Sequence, residues 1–237
     1  MIAHPDQRVK TVLLASASPR RRELITLLGL PVETMSVDID EIPLPAEHAA
    51  DMAVRLSKAK AVAALDRPDR PPMLGVILAS DTVVSLNGEP LGKPRDAAEA
   101  RSMLQRLRDR AHQVYTAITL LDLTTGRFLT DLACSDVPMR AYADAEIEAY
   151  IASGDPFDKA GAYAIQHNGF HPVENFSQCF ANVMGLPLCH VVRTLRRLDI
   201  EPRRTVPAAC QQHIGYTCPV YERILTSSTD SASASNE

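Results

Sequence analysis

The sequence has no long hydrophobic run. Its longest apolar stretches, such as residues 74–79, are far shorter than the ~20 residues that a membrane-spanning helix needs, so we expect no membrane partner. Residues 1–10 are polar and lack the apolar core of a secretory signal, which predicts a cytoplasmic protein. Cysteine is also scarce: the chain has five, an odd number that favours reduced thiols over a disulfide framework.

The chain also lacks an excess of positive charge. It has 25 lysines and arginines against 29 aspartates and glutamates, a formal net charge of -4. Proteins that bind nucleic acids in general carry a net basic face, so we expect no nucleic-acid partner and only a local anion site. The remaining composition, 46% hydrophobic and 23% charged residues, is typical of a globular protein with one α/β domain.

Hydrophobic patterning predicts strands alternating with helices. The predicted strands cover residues 11–15, 75–84, 89–93, 114–123 and 128–137. The predicted helices cover residues 19–30, 46–65, 96–110, 145–152 and 187–198. Beyond these the pattern weakens, and residues 226–237 are rich in Ser, Thr and Ala without periodicity, which predicts disorder. We therefore predict one domain over residues 1–203 and a partly disordered C-terminal extension over residues 204–237.

The first candidate site lies where the first strand meets the first helix. Ser16 and Ser18 precede Arg20, Arg21 and Arg22, and Ser18 is placed to cap the helix. A helix N-terminus carries a partial positive charge and free N–H groups, so three arginines in its first turn oppose the helix dipole. A bound polyanion reverses that sign, which predicts a phosphate site formed by the helix end, the arginines and the serine hydroxyls. The alternative is a solvated basic turn.

The second candidate site lies on a predicted hairpin. Asp81 and Thr82 come at the end of an apolar strand, and Asn87-Gly88 is a favoured two-residue hairpin turn. This turn sets Thr82 opposite Lys93, which places Lys93 diagonal to Asp81. A carboxylate after a buried strand is costly unless it is paired or used, so Asp81 is either a functional group or half of an ion pair.

The third candidate site is an acidic loop that contains Asp38, Asp40 and Glu41. Carboxylate oxygens suit Mg²⁺ or Mn²⁺, and such an ion could bridge substrate phosphates if the loop folds against Asp81. The alternative is a solvated acidic loop.

The fourth candidate site is the loop over residues 155–166, which is rich in Gly, Asp and Lys. Lys159 can meet a phosphate, and the Gln166 amide can pair with the edge of a base. Without further context this is an ordinary polar loop.

A rival site for structural zinc lies in the last third of the chain. The spacings of its candidate ligands match no familiar zinc finger or ribbon, which favours scattered side chains over a metal site. These candidates are Cys179, Cys189, His190, Cys210, His213 and Cys218.

Together these segments resemble the Maf family of nucleotide pyrophosphatases, in order, over residues 11–198. The matching runs are Ser-x-Ser-Pro-Arg-Arg from Ser16, Ser-Asp-Thr-Val-Val from Ser80, Gly-Lys-Pro from Gly92, Lys-Ala-Gly-Ala-Tyr from Lys159 with Gln166, and Asn-Val-x-Gly-Leu-Pro from Asn182. The resemblance implies a mixed α/β fold of the Maf/ITPase-like kind. Such a fold has an elongated, twisted, mixed sheet flanked by helices, and two lobes with a central cleft. Members of the family are often homodimers.

The resemblance also implies roles for individual residues. It makes Asp81 the general base. The residues that govern the choice of substrate are Arg20, Thr82 and Gln166. The residues that contact phosphates are Arg21, Lys93 and Lys60, with Lys58 as the alternative to Lys60. A metal-associated acidic position falls on Asp40 or, as the alternative, on Glu41.

The implied activity is hydrolysis of dTTP and UTP, or of modified pyrimidine nucleotides, to the nucleoside monophosphate and pyrophosphate. Thr82 and Gln166 are the residue types of the dTTP/UTP subgroup. Mg²⁺ or Mn²⁺ would polarise the α-phosphate, while the cationic side chains would neutralise the triphosphate. The competing interpretation is a nucleotide-binding regulator, linked to cell division arrest, that uses the same pocket without turnover.

Overall fold

The computed structural model describes residues 10–72 and 74–227. The strands are β1 (Val12–Ala15), β2 (Val32–Met35), β3 (Val76–Leu86), β4 (Glu89–Leu91), β5 (Ala111–Asp122) and β6 (Phe128–Pro138). The helices are α1 (Pro19–Ile25), α2 (Ala49–Leu65), α3 (Ala97–Leu107), α4 (Asp144–Ala152), α5 (Phe180–Val183), α6 (Leu188–Arg196), α7 (Val206–Ile214) and α8 (Tyr221–Thr226). No helix in the described ranges is both long and apolar enough to span a lipid bilayer.

All six strands form one mixed sheet in the order β2-β1-β3-β5-β6, with β4 paired to β3. β1 lies parallel to β2 and β3, whereas β3, β5 and β6 form a long antiparallel ribbon. The β3–β4 hairpin has the predicted register near its turn, with Leu86 opposite Glu89, but β4 ends at Leu91, so the predicted pairing of Thr82 with Lys93 does not form. Its turn has φ angles of 54° at Asn87 and 86° at Gly88. Helices α2 and α6 pack against the ribbon, which confirms the predicted mixed α/β fold.

Two apolar cores lie at opposite ends of β3. Val76 and Leu78 belong to a core formed with β1, α1 and α6. Val84 and Leu86 belong to a second core formed with β4, α3 and α4. Because β3 runs through both cores, its residues 80–83 lie between them.

The strands beside β3 leave a gap on one of its edges. β5 covers one edge over residues 76–85. On the other edge, β1 pairs with residues 76–79 and β4 with residues 84–86. Within the described chain, residues 80–83 therefore have no neighbouring strand on that edge, which leaves this stretch of β3 open to side chains from elsewhere. We call residues 80–83, with their open edge, the β3 gap.

Helix α1 begins where the sequence predicts but ends at Ile25, five residues earlier than predicted. Ser18 has an extended backbone, and its Oγ accepts the N–H of Arg21 at 3.5 Å. Pro19 is the first helical residue, where its missing N–H costs nothing. A 3₁₀ turn follows, and Gly29 ends it with a φ of 68°. The arginine-rich first turn is therefore a true helix N-terminus.

Among the elements that differ from the prediction are β2 and α2. The sequence does not predict β2, because only Met35 of the four strand residues is buried and the segment has no apolar pattern. α2 begins at Ala49, three residues later than predicted. Ala46 has a φ of 58°, and the Glu47 carboxylate accepts the N–H of Leu44, so the chain turns here before the helix begins.

The described part of the C-terminal extension, residues 204–227, contains α7 and α8, which the sequence pattern does not predict. It packs against the first core through five side chains, Val206, Ala209, Cys210, Ile214 and Leu225. Residues 228–237, most of the segment that is predicted to be disordered, lie outside the described residues. The domain boundary at residue 203 stays a prediction.

Candidate active site

Asp81 lies in the β3 gap, opposite Ala117 of β5, and is buried. The sequence places it at the end of a strand, but β3 continues to Leu86 because β4 and β5 both pair with it beyond the gap. A buried carboxylate inside a sheet is stable only with a partner. Lys60 supplies that partner.

Lys60 extends from α2 and joins two acidic side chains. Its Nζ donates to Oδ1 of Asp81 at 2.5 Å and to Oε1 of Glu41 at 2.6 Å. Leu56 and Lys60 are one turn apart on the buried face of α2, which packs on β3 and β5. Lys58, the alternative in the sequence, is exposed. The structure therefore brings Lys60, not Lys58, to Asp81.

Glu41 links the acidic loop to the hairpin. Its Oε2 lies 3.6 Å from Nζ of Lys93, while its Oε1 accepts from Lys60. Burial raises the pKa of Glu41, but the hydrogen bond and charge of Lys60 and the charge of Lys93 outweigh burial, and the pKa falls below its usual value. Asp81, Lys60, Glu41 and Lys93 thus form a row of alternating charges, which we call the ion-pair row.

Asp40 does not join this row. Its Oδ1 accepts the backbone N–H of Ile42 at 3.0 Å, and its side chain is exposed. Asp38 is exposed as well. The sequence prefers Asp40 for the metal-associated position, whereas the structure brings the alternative, Glu41, to the lysines. The reason is local: Asp40 closes a turn of its own loop, whereas the next side chain, Glu41, contacts both Lys60 and Lys93.

Arg21 of α1 bonds to β3 within the gap. Its Nη1 donates to the Ser80 carbonyl at 2.8 Å, its Nε to the Gly185 carbonyl at 2.8 Å, and its Nη2 to Oγ1 of Thr82 at 2.9 Å. Oγ1 of Thr82 also lies 3.0 Å from Oγ1 of Thr116. Of the five guanidinium N–H groups, these bonds use three, and the other two donate to no acceptor in the described residues. Arg21 therefore fixes the helix end to the gap and keeps donors for a ligand.

Gly185 makes the contact with Arg21 possible. Its φ is 101°, and a Cβ at this position would lie 3.1 Å from Nε of Arg21 and 3.2 Å from Oγ1 of Thr82. Its carbonyl also accepts from the Ser80 hydroxyl at 2.9 Å. Sequence reasoning gives Ser80 and Gly185 no role, since a backbone carbonyl leaves no mark in a sequence. The glycine within the Asn-Val-x-Gly run is the only available signal.

The two serines of the first motif shape the turn before α1. Ser16 is buried, and its Oγ accepts the N–H of Ser18 at 3.1 Å. The Ser18 Oγ caps the helix. Both hydroxyls lie at the arginine-rich helix end, as predicted, and their contact with phosphate stays a prediction.

Lys159 binds its own loop. Its Nζ is buried and donates to Oδ1 of Asp155 at 2.8 Å and to Oδ1 of Asp158 at 2.6 Å. The other oxygen of Asp158 lies 3.8 Å from Nη1 of Arg20. Arg20 and Lys159, which come from separate motifs, thus meet at one carboxylate. In this structure Lys159 holds the loop in place, and Arg20 has the weaker, longer contact.

The loop over residues 155–166 docks onto the hairpin. The N–H of Gly161 donates to the Gly92 carbonyl at 3.0 Å, beside Lys93. Gln166, at the end of the loop, is half-buried, and its amide forms no hydrogen bond within the described residues. The predicted reader of the base therefore has its donor and acceptor free.

The rival zinc site does not form in the part of the chain that the structure describes. No three His, Cys, Asp or Glu side chains there are arranged to hold a metal ion. His213 lies instead 3.3 Å from the carboxylate of Glu23, and His190 is buried in α6.

Comparison with known proteins gives consistent results. The family described as "Maf-like protein" matches residues 11–198. A protein of Chromobacterium violaceum named dTTP/UTP pyrophosphatase is 42% identical over 196 residues, which cover 80% of this chain and 96% of that protein. Proteins with the same name from Geobacter sulfurreducens and Thermomicrobium roseum are 42% and 41% identical, covering 79% and 92% of this chain and 96% and 98% of their own.

Among solved structures, the crystal structure of protein VC0702 from Vibrio cholerae overlaps 61% of this chain and 71% of that one, with a TM-score of 0.31 and 7% identity. That similarity is too low to bear on the fold. The family match covers most of the chain, and the relatives at 41–42% identity are spanned almost end to end. This chain belongs to the Maf-like protein family.

Proposed function

We propose that this protein hydrolyses dTTP and UTP to the nucleoside monophosphate and pyrophosphate. The observation that carries the proposal is the ion-pair row from Asp81 to Lys93, placed beside Arg21 in the β3 gap. Clustered cations suit a polyphosphate, and a fixed carboxylate beside them suits proton transfer from water. The relatives named dTTP/UTP pyrophosphatase support the substrate class.

The cationic side chains differ in how firmly the protein already holds them. Lys60 is buried between two carboxylates, so it keeps Asp81 in place. Lys93 is more than half exposed, and its 3.6 Å distance to Glu41 is the longest in the row. A phosphate can therefore draw Lys93 away from Glu41 at little cost. Arg21 adds its two remaining N–H groups.

Asp81 acts as the general base toward the attacking water. Lys60 holds Oδ1 and so fixes the carboxylate, while Oδ2 accepts no hydrogen bond from the described residues. The water oxygen bonds to the α-phosphorus as its proton passes to Oδ2. The bond between the α-phosphorus and the bridging oxygen breaks, and pyrophosphate leaves.

The carboxylates of Glu41 and Asp81 fit a hard divalent cation. Both accept from one Nζ, so they lie side by side, and Mg²⁺ is commonly held by one or two carboxylates together with substrate phosphates. Such a cation would supply positive charge at the α-phosphate. Since the described residues offer no group of three ligands, we infer that Mg²⁺ or Mn²⁺ binds together with the nucleotide.

The test is turnover of a panel of nucleoside triphosphates with Mg²⁺ or Mn²⁺ in ¹⁸O-labelled water. We expect pyrophosphate from dTTP and UTP, and the label on the nucleoside monophosphate, because water attacks the α-phosphorus. Asp81→Asn should bind dTTP within a few-fold of the wild type but lower kcat by at least ~10²-fold, since the amide cannot accept the proton. Label on released phosphate or pyrophosphate would overturn the mechanism.

A matched pair of variants tests the acidic position. Glu41→Gln should raise the metal concentration needed for half-maximal rate and lower kcat, because it removes one carboxylate from the ion-pair row. Asp40→Asn, one residue away and turned outward, should leave both unchanged. The reverse pattern would return the metal-associated position to Asp40.

The alternative interpretation, a nucleotide-binding regulator without turnover, predicts a different result. Stoichiometric dTTP binding without pyrophosphate, under all metals tested, would favour a non-catalytic nucleotide-binding protein. We place the activity in the cytoplasm, where nucleoside triphosphates are used, and expect the homodimer that the family resemblance implies. Light scattering on the purified protein decides the oligomer.

A further inference from the structure

Four of the five cysteines line one cavity. Cys179 precedes α5, Cys189 lies in the first turn of α6, and Cys210 and Cys218 belong to the C-terminal extension. The fifth, Cys134, is exposed on β6. The cavity therefore lies where the extension meets the domain. Its thiols have no part in the proposed hydrolysis.

Two of these thiols, Cys179 and Cys218, line the same wall of residues around the cavity, and each shifts the pKa of the other. The Cys179 thiol, aided by the backbone N–H groups of Val220 and Tyr221, lowers the pKa of Cys218 to about 6. Cys218, together with burial, raises the pKa of Cys179. Of the two thiols, Cys218 is therefore the more acidic.

The other two thiols in the cavity differ from Cys218. Burial raises the pKa of Cys189 to about 12 and that of Cys210 to about 11, so both stay protonated and unreactive. Cys218 is also half-exposed, whereas Cys179 and Cys189 are buried. Cys218 therefore combines thiolate character with access to solvent, the two properties that select a cysteine for oxidation.

We propose that Cys179 and Cys218 form a reversible disulfide when hydrogen peroxide oxidises the protein, and that this bond ties the C-terminal extension to the domain. The Cys218 thiolate attacks one peroxide oxygen, the O–O bond breaks, and the departing oxygen leaves as water with a proton from solvent. The Cys179 sulfur then attacks the sulfur of the Cys218 sulfenic acid, the S–O bond breaks, and a second water leaves. Two thiols and one peroxide thus give one disulfide and two waters.

The bond would act on a segment that reaches the β3 gap. Cys179 precedes α5, and α5 leads to Gly185, whose carbonyl accepts from Arg21 and Ser80. A link at Cys179 limits the freedom of this segment and of the extension together. The proposal does not depend on the proposed hydrolysis and holds for any ligand of the site.

The test uses the full-length protein, reduced and then treated with hydrogen peroxide. We expect the intact mass to fall by the mass of two hydrogen atoms, and free thiols to fall from five to three. Trypsin alone leaves Cys179 with Cys189 on one peptide and Cys210 with Cys218 on another. Additional chymotryptic cleavage after Phe180 and Tyr216 separates them, so non-reducing mass spectrometry can assign the linkage.

Thermal melting adds an independent readout. Closing a loop between residues 179 and 218 restricts the unfolded chain, so oxidation should raise Tm by about 3–10 °C, and dithiothreitol should reverse the rise. Cys218→Ser should abolish both the mass change and the Tm shift. Cys210→Ser, in the same cavity and the same extension, should keep both.

Three results overturn the proposal. One is a linkage that maps to any pair other than Cys179 and Cys218. Another is oxidation of Cys218 to the sulfinic acid with Cys179 left as a free thiol. The third is the absence of any Cys179–Cys218 linkage at peroxide concentrations that modify Cys134. The linkage map of the wild-type protein decides the matter even if a cysteine variant fails to fold.

Discussion

A single buried lysine sets the electrostatics of the candidate active site. Lys60 lies between the carboxylates of Asp81 and Glu41, and each of these three charges is tolerated because the others are present. Removing Lys60 would leave Asp81 buried without a counter-ion and Glu41 with only Lys93, so its loss would damage the fold and the chemistry at once. Asp81→Asn is the cleaner change, because the amide oxygen can still accept from Lys60.

A single substitution that adds a negative charge tests whether Gln166 reads the base. Thymine and uracil present a carbonyl O4 beside an N3–H, which a glutamine amide can meet with its N–H and its carbonyl. A carboxylate only accepts, so Gln166→Glu would place a negative oxygen against O4. We expect kcat/KM for dTTP and UTP to fall by the equivalent of about 1–3 kcal/mol, with less loss for CTP, which presents an amino group there.

The measurement for Gln166 is kcat/KM for the three nucleotides in both proteins. Gln212→Glu is the control, since it adds the same charge at an exposed position of α7. An unchanged ranking of the nucleotides in Gln166→Glu would show that this side chain does not read the base.

At the scale of elements, the site exists because strand lengths do not match. β1 and β4 are both short, so the long β3 loses its neighbour on one edge over residues 80–83. Arg21 from α1 and Lys60 from α2 bond to β3 within this stretch. The sheet therefore provides a rigid strand with one open edge, and two helices supply its cations.

Gly185 should be intolerant of even a methyl group. Its φ of 101° is strained for any other residue, and the added Cβ would displace the Arg21 guanidinium. Gly185→Ala should lower the free energy of unfolding by about 1–3 kcal/mol and reduce kcat/KM for dTTP. Gly92→Ala is the matched control, because a Cβ there meets nothing within 4 Å and its φ is ordinary.

Urea unfolding and steady-state kinetics on the two glycine variants give the comparison. If Gly185→Ala has the same stability and activity as the wild type, Arg21 and the Gly185 segment can move apart without consequence.

Much of this arrangement can be predicted from the sequence, where the signal is local. The cap at Ser18 and the hairpin turn at Asn87-Gly88 both follow from side-chain and backbone preferences that act over a few residues. The choice of Glu41 over Asp40 depends on how an irregular loop turns, which no pattern of hydrophobicity encodes. The role of Gly185 depends on a backbone carbonyl more than a hundred residues away from its partners.

At the scale of the whole molecule, the two cores share β3 and β5, and the extension covers one end of the first core. Two histidines are buried within this body. His112 lies on β5, and its Nε2 is 2.8 Å from the Tyr163 hydroxyl. His190 lies on α6. Burial lowers the pKa of each to about 4, because a charged imidazole would have to lose its water.

These two histidines should make the fold sensitive to mild acid. Well above pH 6.5 both histidines are neutral in the folded and the unfolded chain, so the two states bind the same number of protons at these positions. As the pH falls from 6.5 toward 4, the unfolded chain takes up two protons that the folded chain does not. Stability is therefore lost across this window, by roughly 2 kcal/mol per histidine at pH 5.

Carboxylates cannot account for a loss in the upper part of that window. The hydrogen bond from Arg55 lowers the pKa of Glu47 to about 2, so the stability it adds is present above its unfolded pKa near 4.5 and is lost only as the pH falls from there toward 2.

Urea unfolding at pH 7.5, 6 and 5 separates the contribution of the histidines from that of the carboxylates. The free energy of unfolding should fall steadily from pH 6.5 to 5 in the wild type. In His112→Gln the absolute stability will be lower because the bond to Tyr163 is lost, but the slope should be about half. His48→Gln, at an exposed position, should keep the full slope, and an equal slope in all three proteins would show that the buried histidines do not control the response to acid.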